Sequence, residues 1–147
     1  SGTLYIGPRP RKASLDEWCA ELTALDVSQA VSFIGDDEVE DYGLAGEETE
    51  LSDRDIGFTH FPIIDYGAPE KSGYRDLVQG ICEQMKSGES IFAHCAGGVG
   101  RTGTFASCLL VADGMNADGA MQLVSKQRGV NAPETDGQRT FVRSFAL

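Results

Sequence analysis

Between Tyr74 and Met85 the apolar residues fall at Tyr74, Leu77, Val78, Ile81, Cys82 and Met85, the three-and-four spacing of one helical face. Gly88 stands where such a helix ends in a left-handed cap. Leu15, Trp18, Cys19, Leu22 and Leu25 keep the same period behind a capping-box pattern, Ser14 with Glu17, and predict a second core-facing helix. Short continuous apolar runs read differently: "TLYIG" at 3–7, "AVSFI" at 30–34, "FTHFPII" at 58–64 and "SIFAH" at 90–94 predict strands. Three more helices are expected over 102–113, 117–127 and 135–146. Strands alternating with helices imply an α/β fold, a central and mainly parallel sheet flanked by helices. In such sheets ligands gather beyond the carboxyl ends of the strands, where Asp65 and Cys95 both fall.

Composition narrows the function. With 147 residues the chain fits one domain, 1–147, and can bury a core without disulfide or metal staples. A net charge of −11 excludes a nucleic-acid binder, which needs a basic surface to neutralise phosphates, and disfavours an anionic membrane surface. No apolar run approaches the roughly 20 residues of a membrane span. Ten of the 23 acidic residues lie between Asp36 and Asp55, which reads as a solvated segment, irregular around 42–50, or as a docking surface for a basic partner. Cys19, Cys82, Cys95 and Cys108 lack C-x-x-C spacing; reduced thiols and a cytoplasmic location are expected. With only His60 and His94, and no paired cysteines, the chain offers no metal-ligand set, so no metal or cofactor is expected. His60 reads as strand filler.

The chemistry concentrates in "HCAGGVGRTG", His94 to Gly103. Gly98, Gly100 and Gly103 satisfy G-x-G-x-x-G, but the acid at Asp118 opens a helix instead of ending a strand, and too little chain follows for a nucleotide-binding fold. No lysine precedes Thr102, so a Walker loop fails as well. A thiol attacking a phosphate monoester explains every position. The nucleophile must be a thiolate, and a free thiol is only a few per cent ionised near neutrality. A helix N-terminus with a ring of backbone amides stabilises that anion and holds phosphate oxygens in the same cup. Glycines let the loop curl. Five residues separate Cys95 from Arg101, with which the chain returns to the loop's mouth and whose planar fork grips two oxygens as lysine cannot.

This loop resembles H-C-x-x-G-x-x-R-[ST], the signature of the cysteine-dependent protein-tyrosine phosphatases, at every defined position. Average residue usage would produce the match by chance on the order of once in a million. The resemblance covers most of the chain, from Leu4 to the final helix, with its specific residues in 60–103. It implies a four- to five-stranded sheet and a cofactor-free phosphatase. Cys95 would be the nucleophile and Arg101 the phosphate clamp; Thr102 would steady the leaving thiolate and His94 orient the loop. Ala96, Gly97, Gly98, Val99 and Gly100 would hold phosphate through their amides.

The leaving oxygen needs a proton from a carboxylic acid on another loop. Asp65 is the candidate, in "IIDYGAP", which resembles the P-I-A-D-G-G-T-P segment of small dual-specificity enzymes of the kinase-associated phosphatase type. It departs from the Pro-Asp pair of many relatives; Glu70 and Asp55 are less well placed. By the same resemblance Gln138 would position the hydrolytic water, and Arg128 would be a second phosphate-binding arginine. The short chain has no K-N-R-Y-like recognition loop, which implies a shallow pocket and a substrate phosphorylated on tyrosine, and also on serine or threonine. The alternatives are a phosphoinositide phosphatase, disfavoured because the loop holds no lysine, and a phosphate-binding pseudoenzyme. Cys19, Cys82 and Cys108 read as core thiols, one of which is a candidate redox partner for Cys95.

Overall fold

Four parallel strands in the order β1-β4-β2-β3 form the sheet of a computed structural model that describes residues 2–70 and 72–147. They are β1 (Leu4–Gly7), β2 (Val27–Ser32), β3 (Gly57–His60) and β4 (Ser90–His94), so the strand that leads into Cys95 is central. Their last residues stand in one row: Gly7 pairs with His94, His94 with Ser32, and Ser32 with His60. The segments that follow all four strands therefore start at one edge, which is what gathers distant residues into a site.

Among the described residues seven α-helices cover the two faces: α1 (Leu15–Ala24), α2 (Asp36–Asp41), α3 (Glu47–Ser52), α4 (Tyr74–Lys86), α5 (Arg101–Ala112), α6 (Ala117–Arg128) and α7 (Asp136–Ser144). Side chains alternate across each strand. Val31, Ile91 and Ala93 face α4 to α7, where Tyr74, Val78, Phe105, Cys108 and Val142 complete the larger core. Tyr5, Ala30 and Phe92 face α1 and α3, packing with Cys19, Leu22 and Leu51.

Several elements differ from their expected form. β2 starts at Val27 and stops at Ser32, because Phe33 and Ile34, although fully buried, begin the descent into α2. β3 ends at His60; the Phe61 and Ile63 amides still donate to Ser32 O and Phe33 O, but the register slips by one residue there and the predicted extension to Ile64 is irregular. Ser14 makes no side-chain cap and ends a short 3₁₀ turn instead. The acidic segment folds into α2 and α3, anchored by Leu44 and Leu51, both buried. Gly88 does adopt the left-handed cap, at φ +100°.

Candidate active site

Cys95 leaves the central strand and is 3% exposed; α5 opens at Arg101. Between them the chain curls with its carbonyls outward, each one taken. His94 Nδ1 lies 3.2 Å from the Cys95 carbonyl, and the Arg9 amide donates to Ala96 O at 3.1 Å. Arg128 covers Gly97 O (Nη2, 3.2 Å) and Gly98 O (Nε, 2.9 Å). Val99 O and Gly100 O accept from the amides of Gly103 and Thr104. Because C=O and N–H point oppositely across a trans peptide, six successive amides, 96 to 101, turn the other way. Among the described residues none of these amides has an internal acceptor.

Two glycines make the curl sterically feasible. Gly98 has φ +73° and lies so close to β1 that a Cβ would stand 2.3 Å from the Gly7 carbonyl carbon. Gly100 faces α7, and a Cβ there would meet a Glu134 carboxylate oxygen at 2.5 Å and the Gln138 amide at 3.0 Å.

Arg101, 1% exposed, is surrounded by acceptors. Glu38 on α2 takes both ends of its fork, Oε1 at 2.5 Å from Nη1 and Oε2 at 3.0 Å from Nη2. Nη1 also donates to Ile63 O at 2.8 Å, and Nη2 lies 3.3 Å from Asp65 Oδ1. Among the described residues neither the buried Nε nor the buried hydroxyl of Thr102 has a partner. Burial opposes the guanidinium charge, but the hydrogen bonds and charge of Glu38, with the charges of Cys95 and Asp65, outweigh it and raise Arg101 above its ordinary value. Glu38 is held below the usual carboxylate range, first by its bond to Arg101; burial opposes this, and the Gly35 amide and the Tyr42 hydroxyl add to it. The Arg9 guanidinium stacks 3.8 Å above the Tyr42 ring. Arg9, Tyr42 and Glu38 thus form a brace that starts at the loop's Ala96 and ends at its arginine. A cleft of about 580 Å³ opens beside it, walled by Asp36, Asp37, Glu38, Tyr42 and Asp65.

Asp65, the candidate acid from the sequence, follows β3 and reaches Arg101. It lies in a tight turn where it accepts from the Tyr66 amide at 2.9 Å, between the exposed Ile64 and Tyr66. This segment is tied to the start of α7: Thr135 Oγ1 donates to Tyr66 O at 3.3 Å, and Gln138 Nε2 to Gly67 O at 3.2 Å. Gln138 Oε1 accepts the amides of Glu134 and Thr135, while Thr135 Oγ1 accepts that of Gln138, a reciprocal cap. Gln138 therefore lies against Gly100, as a residue near the loop should, but its amide is engaged in bridging α7 to the Asp65 segment. Arg128 is also near the loop, yet on its carbonyl side, away from the unpartnered amides.

His94 is fully buried, with Nε2 2.6 Å from Glu47 Oε2. Two residues of the acidic segment, Glu38 and Glu47, thus turn inward to the loop, which corrects the reading of that segment as merely solvated. Neither was anticipated, nor were Tyr42 and Arg9; the Thr135/Gln138 capping box was the one available signal, a T-x-x-Q pattern. Cys19 and Cys108 are buried and Cys82 is half-buried, all free thiols. Among the described residues, no cluster of three His, Cys, Asp or Glu suits a metal ion, and no helix is long and apolar enough to cross a membrane.

Residues 2–144 match the family model described as PTP-SAK, Swiss Army Knife protein, DSP-PTPase phosphatase domain. The protein tyrosine phosphatase domain-containing protein 1 of Danio rerio is 38% identical over 92 residues, 62% of this chain but only 13% of that protein. The crystal structure of Tk-PTP in the active form matches with a TM-score of 0.80 and 26% identity, covering 97% of this chain and 90% of that one. Kinase associated phosphatase, bearing serine for its catalytic-site cysteine, matches with a TM-score of 0.85 and 22% identity over 97% and 83% of the two chains, and shares the fold. With the strand-loop-helix around Cys95 and Arg101 and a family match over nearly its whole length, the chain belongs to the dual-specificity-type protein-tyrosine phosphatase family, as a Swiss Army Knife phosphatase domain.

Proposed function

We propose that this domain hydrolyses phosphotyrosine, and phosphoserine or phosphothreonine, in proteins through a cysteinyl-phosphate intermediate. The observation that carries the reading is the run of outward, satisfied carbonyls from Cys95 to Gly100, which leaves six amides to converge on an oxyanion. Phosphate oxygens take these amides and the unpartnered Arg101 Nε, and displace Asp65 from Nη2.

The Cys95 thiolate attacks phosphorus; the S–P bond forms, the P–O ester bond breaks, and the departing oxygen takes a proton from Asp65. Water then attacks the phosphocysteine, passing its proton to the Asp65 carboxylate as the S–P bond breaks and inorganic phosphate forms. The Thr102 hydroxyl donates to the departing thiolate. Gln138 aligns the Asp65 segment, and Arg128 braces the loop from outside. Among the described residues Arg101 is the cation of the cup, and the cleft beside its partners Glu38 and Asp65 is walled by the exposed Asp36 and Asp37. That favours a phosphoprotein segment with basic neighbours over a polyanionic inositol lipid.

The test is a panel of phosphopeptides and phosphoinositides assayed against the parent protein and Cys95→Ser. Turnover of phosphopeptides that vanishes in the variant, with ligand binding retained, is expected. Faster turnover of inositol lipids would replace the substrate assignment, and substantial turnover by the serine variant would end the covalent mechanism.

A further inference from the structure

Glu47 sits in the most acidic part of the chain, yet its side chain is only 3% exposed, while Glu48 beside it faces solvent. Its carboxylate meets one nitrogen of a fully buried histidine, and the other nitrogen meets the carbonyl of the nucleophile's own residue. The ring is fixed edge-on to Trp18, with centroids 5.9 Å apart. A neutral imidazole has one N–H and one lone pair, so it cannot donate to two acceptors. Both nitrogens of His94 face acceptors, a carboxylate and a carbonyl, and a hydrogen bond to each needs a proton on each.

We propose that Glu47 is a positioning residue for Cys95, keeping a proton on His94 Nδ1 so that the ring donates to the Cys95 carbonyl. This rests on the phosphatase reading of the same loop. Two consequences follow for the nucleophile. The first of the six outward carbonyls is fixed, which aims the Ala96 amide at the cup. The Glu47 carboxylate is also engaged by the ring, which stands between it and the Cys95 carbonyl.

Charged groups face this region from both sides of the loop. Cys19 on α1 feels the charges of Arg54, Glu50, Glu47 and Asp16; across the loop, Cys95 faces Arg101. Burial pushes Cys19 up to about 11, so it stays a neutral thiol. Cys108 is pushed up to about 12 and Cys82 is raised, both first by burial. Cys95 is therefore the thiol to follow in an alkylation experiment.

The parent protein is tested by ¹⁵N NMR of its two imidazoles, His60 and His94. A protonated Nδ1 on His94 between pH 6 and 8 is expected; a bare Nδ1 with the proton on Nε2 overturns the proposal. Iodoacetamide labelling of Cys95 against pH, read by peptide mass spectrometry, is then compared across variants. Glu47→Gln should move the labelling midpoint up by about one pH unit and lower kcat more than it raises KM. In a His94→Gln background the same substitution should add no further shift. An unmoved midpoint in folded Glu47→Gln, or an additive shift in that background, overturns the proposal, and the imidazole spectrum decides if the variants fail to fold. Should no phosphomonoester be turned over while the midpoint still moves, the phosphatase reading fails and the positioning role stands.

Discussion

Glu38 already occupies the fork of Arg101, its two carboxylate oxygens 2.5 and 3.0 Å from Nη1 and Nη2. The pair joins residues 63 positions apart and brings a short acidic helix against the arginine that ends the loop. A bound phosphate adds a second anion to the same guanidinium, on the Nε side, so Glu38 sets the angle at which that edge is presented.

Glu38→Gln should lower stability at neutral pH by about 1–3 kcal/mol, the scale of losing a hydrogen bond to a charged group. Phosphate should raise the Tm of this variant more than that of the parent, because it replaces the missing anion; equal shifts would mean the two anions do not share the guanidinium. Glu38 lies below its ordinary 4.5 in the folded state, chiefly through Arg101. Its contribution is therefore fully present above about pH 4.5 and lost as pH falls through the lowered folded value. Urea unfolding of parent and variant should converge in that acidic range.

Gly98 is the position where the loop is least able to accept a side chain, since φ is +73° and the Gly7 carbonyl is in the way. Gly98→Ala should destabilise the protein by about 2–5 kcal/mol, from left-handed strain plus overpacking, and reduce turnover at least about 100-fold. Gly97 is the control, because nothing lies within 4 Å of a Cβ there. Gly97→Ala should leave urea unfolding within about 0.5 kcal/mol of the parent. Similar losses at both positions would show that the close approach to β1 is unimportant.

What could be read from the sequence was what is local. The strand ending at His94, the curl and the helix from Arg101 are contiguous, so spacing alone places Cys95 opposite Arg101. Asp65 was legible because it follows the only other apolar run that ends in an acid before a Gly-Pro turn. Glu38 and Glu47 were not, since nothing local distinguishes them from eight other acids in their segment; the sheet register brings them to the loop. For Arg128 the region was legible but not the side of the loop it reaches, which depends on where α6 ends against Gly97 and Gly98.

Arg128 separates bracing from binding. It contacts two loop carbonyls with two different nitrogens, a geometry that a lysine point charge does not reproduce. Arg128→Ala and Arg128→Lys should both lose about tenfold in kcat/KM, for about 1–2 kcal/mol of loop organisation, mainly through kcat. Thermal melting should change little, because the residue is only half-buried. A rise in KM and in the inhibition constant of phosphate, at unchanged kcat, would place the guanidinium on the substrate instead.

Asp65 is tested by the chemistry of the leaving group. An alkoxide from phosphoserine needs a proton as the P–O bond breaks, whereas p-nitrophenolate departs readily without one. Asp65→Asn should therefore slow phosphoserine and phosphothreonine peptides by about 10²–10³-fold and p-nitrophenyl phosphate by less than about tenfold. Glu134, whose carboxylate approaches Gly100 from the start of α7, is the competing acid. If Asp65→Asn slows both ester types equally, while Glu134→Gln slows the phosphoserine peptides far more than p-nitrophenyl phosphate, the proton comes from the α7 side. The segment holding Asp65 then acts as a wall of the cleft, and its bonds to Thr135 and Gln138 serve to fix that wall against α7.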